Sequence, residues 1–278
     1  MSRPTIYPPA NGVKVKQCGN SFYCELKSAS FSKIILIPIF DNKAPSSGLF
    51  LGTHLLPHNV NIETALSIGC GSNLPAELCA ISFFGIKHLD CTEVDPSAAL
   101  HARKTIQLNN LAKYISIKKC SLFPHLLKKY DFIFSDISQM PLPVGVKPNY
   151  HDYGGRDGWE LLSKIISRSS KYLRKGGYLS LFIFGFLGIR SRTNTRIPSL
   201  EERLLLYDFD IVKRTKYRRK IRYGGITHQS LAHIRKVYPK AKFYTKSGKL
   251  VEKPEQYISP KNAVYFDAYV ITAKYRGD

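Results

Sequence analysis

Leu66-Ser67-Ile68-Gly69-Cys70-Gly71-Ser72-Asn73 joins an apolar strand-like run, Thr64–Ile68, to a helix-like run, Leu74–Phe84. Glycines at the end of a buried strand let the backbone turn sharply and pass close to a ligand, and the helix start behind them offers unpaired N–H groups. A tight turn with no ligand uses the same glycines, so the loop takes its meaning from the residues downstream of it. The next strand, Ile86–Val94, ends at Asp95-Pro96, and Asp95 lies 24 residues beyond Gly71. Doubly wound sheets place an acid there to accept hydrogen bonds from ribose hydroxyls. Loop and acid in this order favour a nucleoside-containing ligand over an empty turn.

The same alternation extends in both directions. Pro96 stands just inside a helix start, with Ala98, Ala99, Ala102 and Ile106 on one face. Strands follow at Tyr114–Lys118 and Asp131–Ser135. A helix over Asp157–Leu173, apolar at Trp159, Leu162, Ile165 and Ile166, closes on Arg174-Lys175-Gly176-Gly177, and strand Tyr178–Phe184 comes next. Strands alternating with helices predict a mainly parallel sheet with crossover helices. Residues 1–60 read differently. Val13–Gln17, Phe22–Leu26 and Lys33–Phe40 are strand-like, separated by turn formers such as Asn11-Gly12, Gly19-Asn20 and Ala44-Pro45-Ser46-Ser47-Gly48. That predicts a β-rich N-terminal element before a domain over 61–278. Near the C-terminus Phe209–Lys213 and Ala263–Lys274 read as paired strands around a long basic connection, so 208–262 is expected to be a substrate-side insertion.

Composition narrows the partners. The 278 residues are 44% apolar, enough for a core, but 42 Lys and Arg against 20 Asp and Glu give a formal charge of +22. Such an excess attracts nucleic acid, an anionic surface or an acidic substrate, or else reflects a solvated face. It is concentrated: residues 208–250 hold 13 cations against Asp208 and Asp210, a net +11. Within Lys213–Arg222 the cations, with Tyr217 or Tyr223 to stack on a base, suit a phosphate backbone; equally, alternating cations protect an exposed edge strand. Cys18, Cys24, Cys70, Cys79, Cys91 and Cys120 are scattered without zinc-ligand spacing, which predicts free thiols, a reducing compartment and no metal. The longest apolar run, Tyr178–Ile189, is too short to span a bilayer, and Met-Ser-Arg-Pro-Thr lacks a signal core. A soluble cytoplasmic protein without a membrane partner is expected.

Beyond these patterns the sequence resembles the class I S-adenosylmethionine (SAM)-dependent methyltransferases, and within them the HemK-type glutamine-amide and adenine-amino group. Leu66–Asn73 is similar to that family's L-D-L-G-x-G-S-G. Val94-Asp95-Pro96-Ser97-Ala98-Ala99-Leu100, with Ala102 and Asn109 or Asn110, resembles V-D-x-x-x-x-A-L-x-x-A-x-x-N. Cys120-Ser121-Leu122-Phe123 stands where the family has G-D-L-F, and Gly154-Gly155-Arg156-Asp157-Gly158 resembles its G-G-x-D-G. The match covers roughly residues 60–185. It implies an α/β fold with a seven-stranded, mostly parallel, Rossmann-like sheet and SAM as cofactor. It implies a cofactor site of Ser67, Gly69, Cys70, Gly71, Asp95, Pro96, Ser121 and Leu122. Ser67 replaces the acid that usually orders the glycine loop, Asn73 replaces a glycine, and Ser121 replaces an acid.

The family's N-P-P-Y acceptor motif falls on Asp136-Ile137-Ser138-Gln139. By that resemblance Asp136 and Gln139 are the catalytic candidates, with Tyr153 and His151 next. Asp136 keeps a hydrogen-bond acceptor for an N–H group, whereas Gln139 offers no stacking face. Ile137-Ser138-Gln139 is also similar to the I-P-Q of methionine S-methyltransferases. Three functions therefore remain open: a methyltransferase for a nitrogen or sulfur of a small amine, amide or amino-acid-like metabolite; a nucleic-acid methyltransferase using the basic segment; and a SAM-binding module that has lost catalysis. The release-factor substrate of HemK enzymes is not carried over, because residues 1–60 do not read as their helical substrate-holding domain.

Overall fold

A computed structural model of the chain describes residues 13–18, 21–28, 30, 33–39, 45–57, 60–125, 128–146 and 153–277. The chain forms two compact units, one of Met1–Asp136, Lys171–Leu181 and Gly277–Asp278, the other of Ile137–Ser170 and Phe182–Arg276.

The first unit opens with β1 (Val13–Cys18), β2 (Ser21–Lys27) and β3 (Ile34–Ile39), an antiparallel sheet in that order. Alternate residues of β2 and β3 are buried, Cys24, Leu26, Ile35 and Ile37 completely, as period-2 patterning requires of a half-covered sheet. Then follow α1 (Ser46–His54), β4 (Thr64–Ile68), α2 (Pro75–Phe84), β5 (His88–Glu93), α3 (Pro96–Leu108), β6 (Ile115–Lys119) and β7 (Tyr130–Ser135). After α4 (Glu160–Tyr172) comes β8 (Leu173–Phe184), whose first part completes a parallel sheet ordered β8-β7-β4-β5-β6. The chain builds outward from β4 through β5 to β6, then returns to β7 on the other flank of β4. That reversal opens a crevice beyond the carboxyl ends of β4 and β7, where ligands bind in sheets of this kind. Ile68 at the end of β4 pairs with Thr92 of β5 and Ser135 of β7, so Gly69 and Asp136 emerge side by side.

The N-terminal sheet is tied to this unit by two asparagines. Asn109 Oδ1 accepts from Leu36 N–H (2.8 Å) and its Nδ2 donates to Leu36 O (2.8 Å), completing the free edge of β3. Asn73, in the glycine loop, donates from Nδ2 to Pro38 O at 2.7 Å. Residues 1–60 are not wholly β and turn, however: Ser46–His54 is helical. A Cβ on Gly48 would lie 2.4 Å from Pro75 Cγ, and one on Gly52 2.6 Å from Cys79 Cβ and 2.8 Å from Ala76 Cα. Gly48, which read as a turn former, and Gly52 are thus the bare stripe on which α1 approaches α2.

The second unit carries α5 (Leu200–Leu205), β9 (Phe209–Lys220), α6 (Ile226–Gln229), α7 (Leu231–Val237), β10 (Phe243–Tyr244), α8 (Pro254–Tyr257) and β11 (Tyr265–Tyr275), with the last residues of β8. β9 and β11 form a long antiparallel ribbon from Lys220↔Tyr265 to Phe209↔Tyr275. The expected strand Phe209–Lys213 therefore continues to Lys220, and the basic run read as a connection is mostly strand. Its core is aromatic, with Phe184 and Phe186 each 5.3 Å from the Phe266 ring. The two-residue β10, which pairs antiparallel with β11, was not among the expected strands. No helix among the described residues is long and apolar enough to cross a membrane.

Candidate active site

The glycine loop follows β4 directly. Gly69 (φ 72°) and Gly71 (φ 65°) adopt the left-handed conformation that other residues reach only at a cost. Gly69 and Cys70 both donate their N–H groups to Thr92 O (2.9 and 3.1 Å), and Gly71 N–H donates to Glu93 Oε2 at 2.8 Å. These N–H groups are bonded to β5 and fix the loop's shape. The loop remains open on its outer side: a Cβ added to Gly71 would meet nothing within 4 Å.

Glu93 ends β5, is buried at 6% exposure, and accepts the Asp95 N–H on Oε1 at 2.9 Å. Asp95 itself is the N-cap of α3, its Oδ1 accepting from Ser97 N–H (2.8 Å), with Pro96 as the first helical residue. The acid at the carboxyl end of the second strand of the parallel sheet is therefore Glu93, two residues before the one the sequence pointed to. The signal was present: an acid before Pro and Ser is a helix cap first, and Glu93 lies 22 residues beyond Gly71.

The 120–122 turn is sewn to the same strand. Cys120 N–H donates to Glu93 O (3.1 Å), and Leu122, at φ 58°, accepts the Thr92 hydroxyl on its carbonyl at 2.6 Å. Ser121 is exposed beside it, while Phe123 is buried and stacks on Tyr172 at 4.6 Å. Beneath the glycine loop Ser67 is buried, and its hydroxyl donates to Glu77 Oε1 from α2. Burial pushes the Glu77 carboxyl up to about 7, Asp136 and Glu93 adding to the shift while the Ser67 hydrogen bond opposes it. Glu77 Oε2 is buried without a partner. Among the described residues no cluster of His, Cys, Asp and Glu is arranged to hold a metal.

Asp136 follows Ser135, whose hydroxyl donates to Ile68 O at 2.8 Å, so the half-buried carboxylate is held at the end of β7 next to the loop. Gln139, in the second unit, has a different task. It is 2% exposed; Nε2 donates to Phe182 O and Oε1 accepts from Phe184 N–H, both at 2.7 Å. Both ends of the amide are occupied by the β8 main chain, so this side chain positions the 137–139 loop rather than gripping an acceptor. The Gly154–Gly158 motif wraps the same residue: a Cβ on Gly154 would lie 2.5 Å from Gln139 Cα, and one on Gly158 2.6 Å from Gln139 O. Tyr153 is 38% exposed and its backbone bridges Met140; His151 lies outside the described residues.

The basic strand β9 is partly neutralised within its own unit. Lys216 and Arg218 lie 3.6 and 3.5 Å from the Asp267 carboxylate, Arg218 covers the Tyr244 ring at 4.2 Å, and Arg219 lies over Phe184 at 5.3 Å.

No protein-family model matches the chain. It is 28% identical over 144 residues to a Methanocaldococcus jannaschii protein named "Putative protein N5-glutamine methyltransferase", a match covering 50% of this chain and 71% of that one. Among solved structures it is similar to the YcgJ protein of Bacillus subtilis (13% identity, 84% of this chain and 98% of that one, TM-score 0.50). It is also similar to a Bacillus halodurans protein described as a "putative methyltransferase" (11%, 84% and 100%, TM-score 0.51). The fold is that of the class I SAM-dependent methyltransferases, with an N-terminal β element. Motif order and the archaeal relative agree with the resemblance to the HemK-type SAM-dependent methyltransferases. The residues present fit their cofactor, with an open side at Gly71 and a buried, half-bonded acid below the loop.

Proposed function

We propose that the protein methylates a nitrogen, a carboxamide or amino group, with Asp136 as the acceptor-side carboxylate. The observation that carries this reading is the place of Asp136: it directly follows β7, beside Gly69 at the sheet's reversal, in the position where the resembling family presents the polar residue of its acceptor motif. When bound, SAM supplies an electrophilic methyl group on its sulfonium. The chain's own residues do the rest. Asp136 accepts a hydrogen bond from the acceptor N–H, which aims the nitrogen lone pair and stabilises the positive charge that grows on nitrogen. Gln139 keeps the loop after Asp136 in register with β8 through its two amide hydrogen bonds. Glu93 is the proposed partner of the ribose hydroxyls: an ionised carboxylate has about four lone-pair sites, and Gly71 and Asp95 N–H groups occupy one on each oxygen. Gly69, Cys70, Gly71, Ser121 and Leu122 shape the remaining cofactor contacts, and Asp95 and Pro96 support them from the helix cap.

The archaeal relative's name makes a glutamine side chain in a peptide the first acceptor to try, ahead of the free metabolite expected from the Ile137-Ser138-Gln139 loop. Intramolecular pairing of Lys216, Arg218 and Arg219 weakens the nucleic-acid alternative. Labelled SAM is offered with glutamine-containing peptides, an amino-acid and amide pool, and total RNA. Label is expected in an amide or amino nitrogen and lost in Asp136→Ala, while the cofactor dissociation constant changes by only a few-fold. Label appearing only in RNA, or turnover surviving in Asp136→Ala, overturns the assignment.

A further inference from the structure

Glu77 is unexplained by packing alone. It lies in the first turn of α2, where an acid ordinarily faces water and favours the helix dipole, yet it is 3% exposed. One carboxylate oxygen takes the Ser67 hydroxyl; the other is buried without a partner. The titratable groups that act on it oppose its charge or offer none: Asp136 on β7 and Glu93 on β5 are acids, and Cys70, Cys79 and Cys91 are buried thiols. Burying a carboxylate in such company costs several kcal/mol unless a partner compensates it. Burial holds its pKa at about 7, so near neutrality the group is poised between its two forms.

SAM carries two positive groups. Its sulfonium has no N–H, while its α-ammonium has three donors. The orphan is a hydrogen-bond acceptor, so the ammonium is the matching group. Ser67, whose hydroxyl bonds the other Glu77 oxygen, occupies the strand position where the resembling family places an acid. An acid rooted on α2 reaches the spot that one rooted on β4 would reach.

We propose that Glu77, reaching from α2 to Ser67 beneath the glycine loop, receives the α-ammonium of the bound cofactor, and that binding expels the Glu77 proton to solvent. The ammonium keeps its own proton throughout. Because this rests on SAM being the cofactor, the experiment separates the two claims. Isothermal titration calorimetry of the full chain is run between pH 6 and 7.5, in buffers of different ionisation enthalpy. The titrants are SAM, S-adenosylhomocysteine, and the analogue of S-adenosylhomocysteine lacking its α-amino group.

SAM and S-adenosylhomocysteine are expected to tighten by roughly eight-fold from pH 6 to 7.5, the change in the ionised fraction of a group titrating at about 7. Each is expected to release about half a proton at pH 7. The desamino analogue binds more weakly and shows no slope. Glu77→Gln, which keeps the shape of the side chain, loses both the slope and the proton release while its affinity for the desamino analogue is unchanged. Ser67→Asp combined with Glu77→Leu returns the acid to the strand and restores preference for the amino-bearing ligands. No binding of SAM to the native chain overturns the cofactor assignment and this inference together. Binding without proton release, a slope confined to SAM, or a Glu77→Gln variant that keeps the slope overturns this inference alone.

Discussion

Replacing Gln139 with leucine removes an amide whose two ends hold the β8 main chain, and its cost is set by the groups left behind. Phe184 N–H and Phe182 O, each bonded to Gln139 at 2.7 Å, lose their partners where Phe182 is 1% and Phe184 9% exposed. An orphaned buried donor or acceptor costs about 1–3 kcal/mol. The pair together therefore costs on the order of 2–6 kcal/mol, against about 5–15 kcal/mol for a whole domain. At about 2–4 °C per kcal/mol in a domain of this size, that lowers the melting temperature by roughly 4–24 °C. Gln139→Glu sharpens the experiment. Its neutral acid form donates to Phe182 O and accepts from Phe184 N–H, whereas its ionised form sets a negative oxygen against that carbonyl. Relative to the native chain at the same pH, Gln139→Glu should be well tolerated near pH 5 and destabilised near pH 8. Thermal melts and urea titrations of the three proteins at both pH values decide the matter. A leucine variant melting within a degree of the native protein, or a glutamate variant indifferent to pH, would refute the view that this amide anchors the loop.

The two acids after β5 should separate cleanly. Glu93→Ala should weaken SAM binding by about 1.5–3 kcal/mol, the scale of a lost charged acceptor. Asp95→Ala should cost about 1 kcal/mol of stability through the lost cap and leave the dissociation constant within a few-fold; the opposite ranking in calorimetry would return the ribose role to Asp95. Gly52→Ala sets two effects against each other. Alanine gains about 1 kcal/mol of helix propensity over glycine, but its Cβ would sit 2.8 Å from Ala76 Cα and 2.9 Å from Ala76 O, main chain of α2 that does not yield. Overpacking of about 1–3 kcal/mol should win, and a urea midpoint above that of the native chain would show that the helices separate at little cost.

The parts of the molecule legible from sequence are those where a pattern has one physical meaning. Buried apolar runs ending in Gly69-Cys70-Gly71 and in Ser135-Asp136 identify strand ends because few other structures bury such runs and then turn at glycine. Glu93 and Asp95 flank one strand end, and periodicity alone does not say at which residue the strand stops and the cap begins. α1 escaped notice since Pro45-Ser46-Ser47-Gly48 has turn composition; only contact with Pro75, Ala76 and Cys79 reveals that its glycines serve packing. The alternating cations of β9 fit an exposed edge strand as well as a phosphate-binding segment, and only the register with β11 shows that the strand runs on to Lys220. Glu77 was missed for the simplest reason: an acid in a helix's first turn is ordinarily at the surface, and no local pattern reports that it has been turned inward.

The asparagine ties to β3 bear on how such a protein can change partners over time. Asn73 belongs to the glycine loop and holds Pro38 O, while Asn109 closes both hydrogen-bonding positions of Leu36. The N-terminal sheet thus meets the rest of its unit at specific main-chain groups: one carbonyl for the loop and one strand edge for the asparagine at the end of α3. A replacement sheet that lacks them leaves the buried Asn109 side chain unanswered, and the close approach of α1 to α2 at Gly48 and Gly52 must be kept as well.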